Sequence, residues 1–129
     1  MKTCDLYWLA GILEGEGSFC WHGHKSRMGT SPVICIGMTD KDIIQRVARL
    51  FGRKVYGPYK YRLEHKAIYK TRILGAKAIG WALTLYSLLG ARRKQQIRTM
   101  LITWHDRPKR SEWVKKGWVT RHANLRCTK

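Results

Sequence analysis

The sequence has few acidic residues, and this shortage is the first guide to what the protein binds. Its 129 residues include 8 Asp and Glu against 26 Lys and Arg, which gives a formal net charge of +18 at pH 7. A charge of this size is far larger than a small domain needs for solubility. It indicates a polyanionic partner, and nucleic acid is the commonest one.

Long apolar runs and closely spaced cysteines are also missing. The longest apolar run, residues 6–13, is too short to span a membrane and is followed by acidic residues. It is not followed by a signal-peptide cleavage pattern. The cysteines show no C-x-x-C spacing, which argues against a zinc knuckle and against a redox motif. We therefore expect an intracellular protein with reduced thiols and no membrane partner, in either an organelle or a prokaryotic cytoplasm.

The first helix, predicted to end at Gly17, is the feature around which the sequence is organised. Four apolar residues recur at helical spacing and predict one buried face, namely Leu6, Leu9, Ala10 and Leu13. A second face carries Tyr7, Gly11 and Gly15. Because an interior glycine costs roughly 1 kcal/mol relative to alanine, this face predicts a second backbone packed closely against it. The alternative is a core helix whose glycines are incidental.

Two carboxylates, Glu14 and Glu16, stand at the C-terminal end of this helix. The helix macrodipole disfavours negative charge there, so both side chains need a counter-charge. A bound divalent cation is a natural partner for oxygen ligands placed in this way. The alternative is a pair of solvated surface carboxylates.

Residues 9–17, Leu-Ala-Gly-Ile-Leu-Glu-Gly-Glu-Gly, resemble the signature of the LAGLIDADG homing endonucleases. The match covers the leucine, the alanine, three glycines and both acidic positions, with Glu where Asp is common. Only one copy is present, and single-copy members of this family act as homodimers. The resemblance implies a site-specific DNA endonuclease that makes a metal-dependent double-strand break at a long pseudo-palindromic site, in intron or intein mobility.

The resemblance also implies catalytic roles for particular residues. Glu16 matches the family's essential metal-binding acid, and Gly15 matches the residue whose carbonyl assists in binding Mg²⁺ or another divalent cation. Arg92 and Lys94, at the start of the last helix, are candidates for the basic residues that face the scissile phosphates. Asp40 falls near a position where the family has a polar residue that contacts active-site water.

Two further roles concern assembly. Glu14 matches the family's other acidic position, which we interpret as capping or structural. Packing of two motif helices through Tyr7, Gly11 and Gly15 would form the dimer interface and bring two copies of Glu16 together. Each subunit would then contact one half-site in the DNA major groove.

Alternating side chains predict two pairs of strands. Residues 18–25 and 33–39 form the first pair around a basic tip, and residues 54–62 and 66–74 form the second. We expect the polar face of the first pair, its tip and the cations of the second pair to contact DNA, namely Ser18, His22, His24, Lys25, Arg27, Lys60, Arg62, Lys70 and Arg72. In the alternative interpretation, the tyrosines of the second pair belong to the core and the cations form a solvated face.

Helices before, between and after the strands complete an α+β fold of αββαββα order, in which helices cover one face of a four-stranded antiparallel sheet. Thr3 or Asp5 is predicted to cap the first helix. Residues 75–89 form a later helix with an inward face of Ile79, Leu83, Tyr86 and Leu89. The resemblance covers this layout, since the family's sheet lies on DNA. We interpret residues 1–129 as one domain with a basic C-terminal extension from about residue 108.

Two other functions are compatible with the charge. A non-catalytic nucleic-acid binder, such as an intron RNA maturase of the same family, is the main alternative, with intron RNA as a possible partner. The acid at position 16 favours the nuclease. A basic membrane-surface protein is the weakest hypothesis, because no amphipathic helix places Lys and Arg opposite an exposed apolar face.

Overall fold

The computed structural model describes residues 1–23 and 30–107, which form four α-helices and one four-stranded antiparallel sheet. In chain order the elements are α1 (Thr3–Glu16), β1 (Gly17–His22), β2 (Ser31–Met38), α2 (Lys41–Phe51), β3 (Tyr56–Tyr59), β4 (Ile68–Leu74), α3 (Ala76–Leu85), a 3₁₀ turn (Tyr86–Leu88) and α4 (Ala91–Asp106). The strand order in the sheet is β1-β2-β4-β3. The predicted α+β architecture is confirmed. Within these residues, no helix is long and apolar enough to cross a membrane.

One face of the sheet packs against the helices. Phe19, Ile34 and Ile73 lie opposite one another across β1, β2 and β4, and each is at most 3% exposed. Leu9 and Leu13 of α1 are fully buried in the same cluster, which confirms the predicted apolar face of that helix. Burial of a large aliphatic or aromatic side chain contributes about 1.5–3 kcal/mol, so this layer supplies much of the driving force for folding.

The opposite face of the sheet carries polar and charged side chains. Ser18, Cys35 and Arg72 form a row across β1, β2 and β4, while Tyr56 of β3 lies opposite Lys70 of β4. Successive side chains of a strand point to opposite faces, so these residues lie on the face away from Phe19, Ile34 and Ile73. The predicted open basic face is therefore present.

Helix ends and one helix face differ from the predictions. The N-cap of α1 is Lys2, which makes no side-chain capping bond, and Asp5 instead accepts a bond of 3.0 Å from Arg46 of α2. The predicted cap by Thr3 or Asp5 is therefore wrong. Leu83, predicted to point inward, is 57% exposed. The buried face of α3 is made of Ala78, Ile79, Ala82 and Leu85. Small alanines allow this helix to approach the sheet closely. The prediction relied on the spacing of large apolar residues and so did not identify the alanines as part of the buried face.

The strand β3 is shorter than the predicted range of 54–62. It ends at Tyr59, and the chain then forms a loop that returns to the sheet at Ile68. Lys60 and Arg62 consequently lie in this connection and not on a strand. Tyr61 of this loop accepts a hydrogen bond from Lys70 of β4, so the loop lies against the open face.

Candidate nucleic-acid interface and active site

The motif helix ends at the boundary between the helical layer and the open face. Glu16 is the last residue of α1 and is exposed. Gly17 begins β1, and a Cβ atom at that position would lie 2.7 Å from the Leu13 carbonyl oxygen. Only glycine fits this turn from helix to strand. The chain therefore passes from α1 into β1 without a loop. Glu16 ends the helix, and Ser18, two residues later, already lies on the open face of the sheet.

A buried arginine holds the C-terminal end of the motif helix. Arg93 of α4 is 6% exposed, and its Nε donates to the Glu14 carbonyl at 3.1 Å while Nη2 donates to the Gly15 carbonyl at 3.3 Å. Its Nη1 donates to Gln96 Oε1 at 3.0 Å. Burial lowers the pKa of Arg93. The last carbonyls of a helix lack intrahelical partners, and a cation is favourable at that end, so Arg93 satisfies both needs of α1.

Glu14 makes the reverse contact from α1 to α4. The backbone N–H of Gly90, the N-cap of α4, donates to Glu14 Oε2 at 2.8 Å. A Cβ atom on Gly90 would lie 3.0 Å from Glu14 Oε1, so the absence of a side chain gives the carboxylate room. A carboxylate at a helix N-terminus interacts favourably with the dipole. Glu14 therefore places an anion at the N-terminus of α4 and acts as a helix cap.

The other residues predicted to be catalytic have three different surroundings. Arg92 Nη2 lies 3.5 Å from the Glu14 carbonyl oxygen, so Arg92 is at the end of the motif helix. The Lys94 ammonium lies 5.7 Å from the centre of the Tyr86 ring. Asp40 is the exposed N-cap of α2 and makes no side-chain capping bond. Asp40 comes two residues after the end of β2, at the same end of the sheet at which β1 begins.

Sequence reasoning missed Arg93, although the sequence contains a signal for it. Ile97 and Met100 are buried on α4, and Arg93 precedes them by four and seven residues. These intervals place an arginine on the apolar stripe of the helix. A buried cation needs hydrogen-bonding partners, so a charged residue in phase with the apolar stripe predicts a paired side chain.

The cations of the open face lie among exposed tyrosines. The Lys70 ammonium donates to the Tyr61 hydroxyl at 2.9 Å, and this bond is the main cause that raises the pKa of Lys70. The Arg72 guanidinium lies 5.6 Å from the centre of the Tyr56 ring. Both side chains lie on β4, a central strand of the sheet.

The alternative in which the tyrosines form core is wrong for three of the four residues. Tyr56, Tyr59 and Tyr61 are exposed, whereas Tyr69 packs partly against the core. The exposed rings and the cations share one surface. Aromatic and basic side chains together are typical of surfaces that bind nucleic acid.

The remaining predicted DNA contacts have three outcomes. Ser18 and His22 face outward on β1, with Ser18 half-buried opposite Cys35 and His22 exposed at the end of the strand. Lys60 and Arg62 are exposed in the loop after β3. The predictions for the tip between β1 and β2 lie outside the described residues, namely His24, Lys25 and Arg27.

The second face of α1 is open. Tyr7 is 61% exposed, and a Cβ atom added to Gly11 or Gly15 would meet nothing within 4 Å. The described part of the chain does not supply the second backbone that these glycines predict. Within residues 1–23 and 30–107, nothing packs against the two glycines of this face.

The donor atoms at the end of α1 suit a hard divalent cation. Glu16 presents a carboxylate, and the Gly15 carbonyl has a second lone pair beyond the bond from Arg93. No cluster of three or more His, Cys, Asp or Glu side chains exists among residues 1–23 and 30–107. Mg²⁺ is usually bound through one or two carboxylates, substrate phosphates and water, so a single carboxylate is compatible with this ion.

Solved structures of homing endonucleases resemble the chain. I-CvuI in complex with its target has a TM-score of 0.57 at 15% identity, over 77% of this chain and 65% of that one. The archaeal intron-encoded I-Vdi141I complexed with DNA has a TM-score of 0.56 at 14% identity, over 73% and 63%. The group I intron-encoded I-CeuI complexed with DNA has a TM-score of 0.56 at 11% identity, over 78% and 54%.

The chain therefore spans less than two thirds of the length of each of these three proteins. No protein-family model and no curated protein matches the sequence. At such low identities the structural similarity establishes the fold. The arrangement of helices and strands is the fold of the LAGLIDADG homing endonucleases, and α1 carries a motif that resembles their signature.

Proposed function

We propose that the chain is a site-specific DNA endonuclease that makes a metal-dependent double-strand break as a homodimer. One observation carries the proposal: the motif helix delivers an exposed carboxylate, Glu16, to the margin of an open basic sheet. Carboxylates beside DNA phosphates would repel them unless a cation lies between. The proposal includes a role in intron or intein mobility, in accordance with the intron-encoded proteins that share the fold.

Glu16 and the Gly15 carbonyl would hold the divalent cation. When bound, such an ion neutralises phosphoryl oxygens, lowers the pKa of a coordinated water and stabilises the leaving oxygen. Structures of I-CvuI with DNA were obtained in the presence of 2 mM Ca and of 2 mM Mg. Arg93 and Glu14 fix the end of α1, so that the Glu16 carboxylate has a defined place relative to the sheet.

The open face would bind DNA in the major groove, which admits a two-stranded β-ribbon. In this proposal Lys70 and Arg72 contact base edges or phosphates, and Ser18 and His22 extend the contact along β1. Arg92 lies at the end of the motif helix, where its charge would attract a phosphate. Lys94 and Asp40 remain candidates for contacts around the scissile bond.

Two copies are needed for two cuts. The exposed face of α1, with Tyr7, Gly11 and Gly15, has no neighbour in the described chain, and its glycines would allow close packing of a second α1. Packing about a two-fold axis would place two Glu16 carboxylates near each other, one for each strand. Half-sites about one helical turn apart give a pseudo-palindromic site on the order of 20 bp.

Selection of cleaved sites from randomised duplex DNA tests the proposal directly. We expect the purified chain to cut a recovered site in Mg²⁺ and to bind it without cutting in EDTA. Glu16→Gln removes the ligand charge but keeps the shape, so it should bind the site and leave it intact. Substantial Mg²⁺-dependent cleavage by this variant would overturn the role of Glu16.

A second candidate function has one observation in its favour. The Gly15 carbonyl already accepts a bond from the Arg93 guanidinium, and a fixed positive charge at that atom opposes a metal ion. A non-catalytic nucleic-acid binder, such as an intron RNA maturase, would tolerate this arrangement. Binding of duplex DNA or intron RNA without cleavage in Mg²⁺ or Mn²⁺ would support this candidate.

A further inference from the structure

Three tyrosine rings border a concave surface at the β3 end of the sheet. Tyr56, Tyr59 and Tyr61 are 37%, 45% and 68% exposed, and the concavity has a volume of about 690 Å³. Among the described residues its lining includes three cations and no acidic side chain, the cations being Lys60, Lys70 and Arg72. The surface therefore combines aromatic rings with uncompensated positive charge.

A β-bulge places two of these rings on the same face. Tyr56 pairs with Lys70 and Tyr59 pairs with Ile68, so three steps along β3 span two steps along β4. Regular alternation would put Tyr56 and Tyr59 on opposite faces, and the extra residue corrects their direction. The bulge requires a glycine, because Gly57 has φ +117° and a Cβ atom there would lie 2.7 Å from the Ile68 carbonyl oxygen.

The cations are held against these rings. The Lys70 ammonium lies 5.7 Å from the centre of the Tyr59 ring and 5.5 Å from that of Tyr61. The Arg72 guanidinium lies 5.6 Å from the centre of the Tyr56 ring. Each cation still has N–H groups that can donate hydrogen bonds to a phosphate, since an ammonium has three donors and a guanidinium has five. Rings and phosphate-binding groups are thus organised in advance of ligand binding.

Duplex DNA can use the cations of this surface but not the faces of its tyrosine rings. In a base-paired duplex the faces of the bases stack on one another and only their edges are exposed in the grooves. An unpaired nucleotide exposes the face of its base, which stacks on aromatic side chains while its phosphate binds nearby cations. The ring faces and the concave shape therefore fit an unpaired nucleotide better than a groove.

We propose that this concavity binds unpaired nucleotides of single-stranded nucleic acid. Their bases stack on Tyr56 and Tyr59, and their phosphates bind Lys60, Lys70 and Arg72. The site shares its three cations with the surface proposed for duplex DNA, adds the tyrosine rings to them, and is separate from the chemistry at Glu16. Its ligand chemistry is an unpaired base with an adjacent phosphate, which DNA and RNA both supply.

Fluorescence anisotropy with 12-nucleotide probes at one fixed salt concentration tests the proposal. The probes are oligothymidylate, oligouridylate, an abasic DNA of equal length and charge, and a duplex. Wild type should bind oligothymidylate or oligouridylate about 5- to 140-fold more tightly than the abasic strand, which corresponds to about 1–3 kcal/mol for a base–aromatic stack at 1.4 kcal/mol per tenfold. The tighter of the two base-containing probes identifies the source of the ligand.

Tyr59→Leu and Tyr59→Phe form the matched pair, because only the first removes the ring. Tyr59→Leu should lose most of the preference for bases over abasic DNA, and Tyr59→Phe should keep it. Both variants should bind the duplex as wild type does and should melt at the wild-type temperature, since Tyr59 is exposed. Equal binding of abasic and base-containing strands by the wild type, which needs no variant, would overturn the proposal. An unchanged preference in Tyr59→Leu, or an equal loss of duplex binding, would overturn it too.

Discussion

Arg93→Met tests the junction between the motif helix and α4 most directly. The substitution keeps an unbranched side chain of similar length but removes every donor that Arg93 offers to Glu14, Gly15 and Gln96. The two backbone carbonyls at the end of α1 would then lose a buried partner. Because these two acceptors are backbone carbonyls, no second substitution can remove them, and both would be left without the bond from Arg93.

The expected loss of stability follows from these contacts. A hydrogen bond from a charged group contributes about 1.5–3 kcal/mol net, and two such bonds reach the carbonyls of Glu14 and Gly15. Relief of the cost of burying a guanidinium offsets part of the loss. We expect the free energy of unfolding to fall by about 2–4 kcal/mol. At about 1.5 kcal/mol per M of urea, the midpoint would fall by roughly 1–3 M.

Urea denaturation of Arg93→Met at fixed protein concentration measures this loss, with Arg98→Met as the control. Arg98 lies on the same helix and donates a bond of 2.7 Å to the Tyr86 hydroxyl, but this contact is exposed, so its removal should cost less than about 1 kcal/mol. The stability of Arg93→Lys should lie between that of wild type and that of Arg93→Met. An ammonium keeps the positive charge but lacks the planar set of donors with which a guanidinium reaches several acceptors at once. If Arg93→Met unfolded within about 0.5 kcal/mol of wild type, the role of Arg93 as the clamp on α1 would be refuted.

Three further outcomes are expected. Glu14→Gln should lower stability by about 0.5–1 kcal/mol through a weaker cap on Gly90 and should retain cleavage, unlike Glu16→Gln; equal loss of cleavage in both variants would contradict the separate roles. Gly11→Leu should leave the fold of the single chain intact, since no atom lies within 4 Å of its Cβ, yet abolish dimers in analytical ultracentrifugation, with Gly11→Ala less affected; dimers like those of wild type would disprove the interface. Plots of log affinity for duplex DNA against log salt should have a slope steeper than about −3, because each phosphate contact contributes about −0.9; a shallower slope would exclude the basic face as the main DNA surface.

The periodicity of apolar and polar residues in the sequence was sufficient to predict most of the helices and strands and the faces that they bury. Alternation at a period of two separated Phe19 and Trp21 from Ser18 and His22, and helical spacing placed Leu9 and Leu13 on one face of α1. These patterns are local, because the side chain's direction depends on its position within one element. For the same reason Gly17 could be identified as the end of the motif helix from the sequence.

Composition and a single motif also limited the chemistry. A charge of +18 and nine contiguous residues with carboxylates near their end pointed to nucleic acid and to a divalent cation. Both features depend on residue identity alone. The hydrogen-bonding partner of Glu14 could not be found in this way, because the carboxylate and the Gly90 N–H are 76 positions apart.

Only the tertiary structure decided which cation contacts which atom. Arg92, Arg93 and Lys94 are neighbours in the sequence, but helical rotation sends Arg93 into the core toward α1 and Lys94 over Tyr86. The direction of Tyr56 and Tyr59 depended in turn on a bulge that exists only when β3 pairs with β4. Local patterns predict the faces of single elements, whereas contacts between elements depend on how the faces meet. The contacts that hold the motif helix and orient the tyrosines on the sheet were therefore visible only in the folded chain.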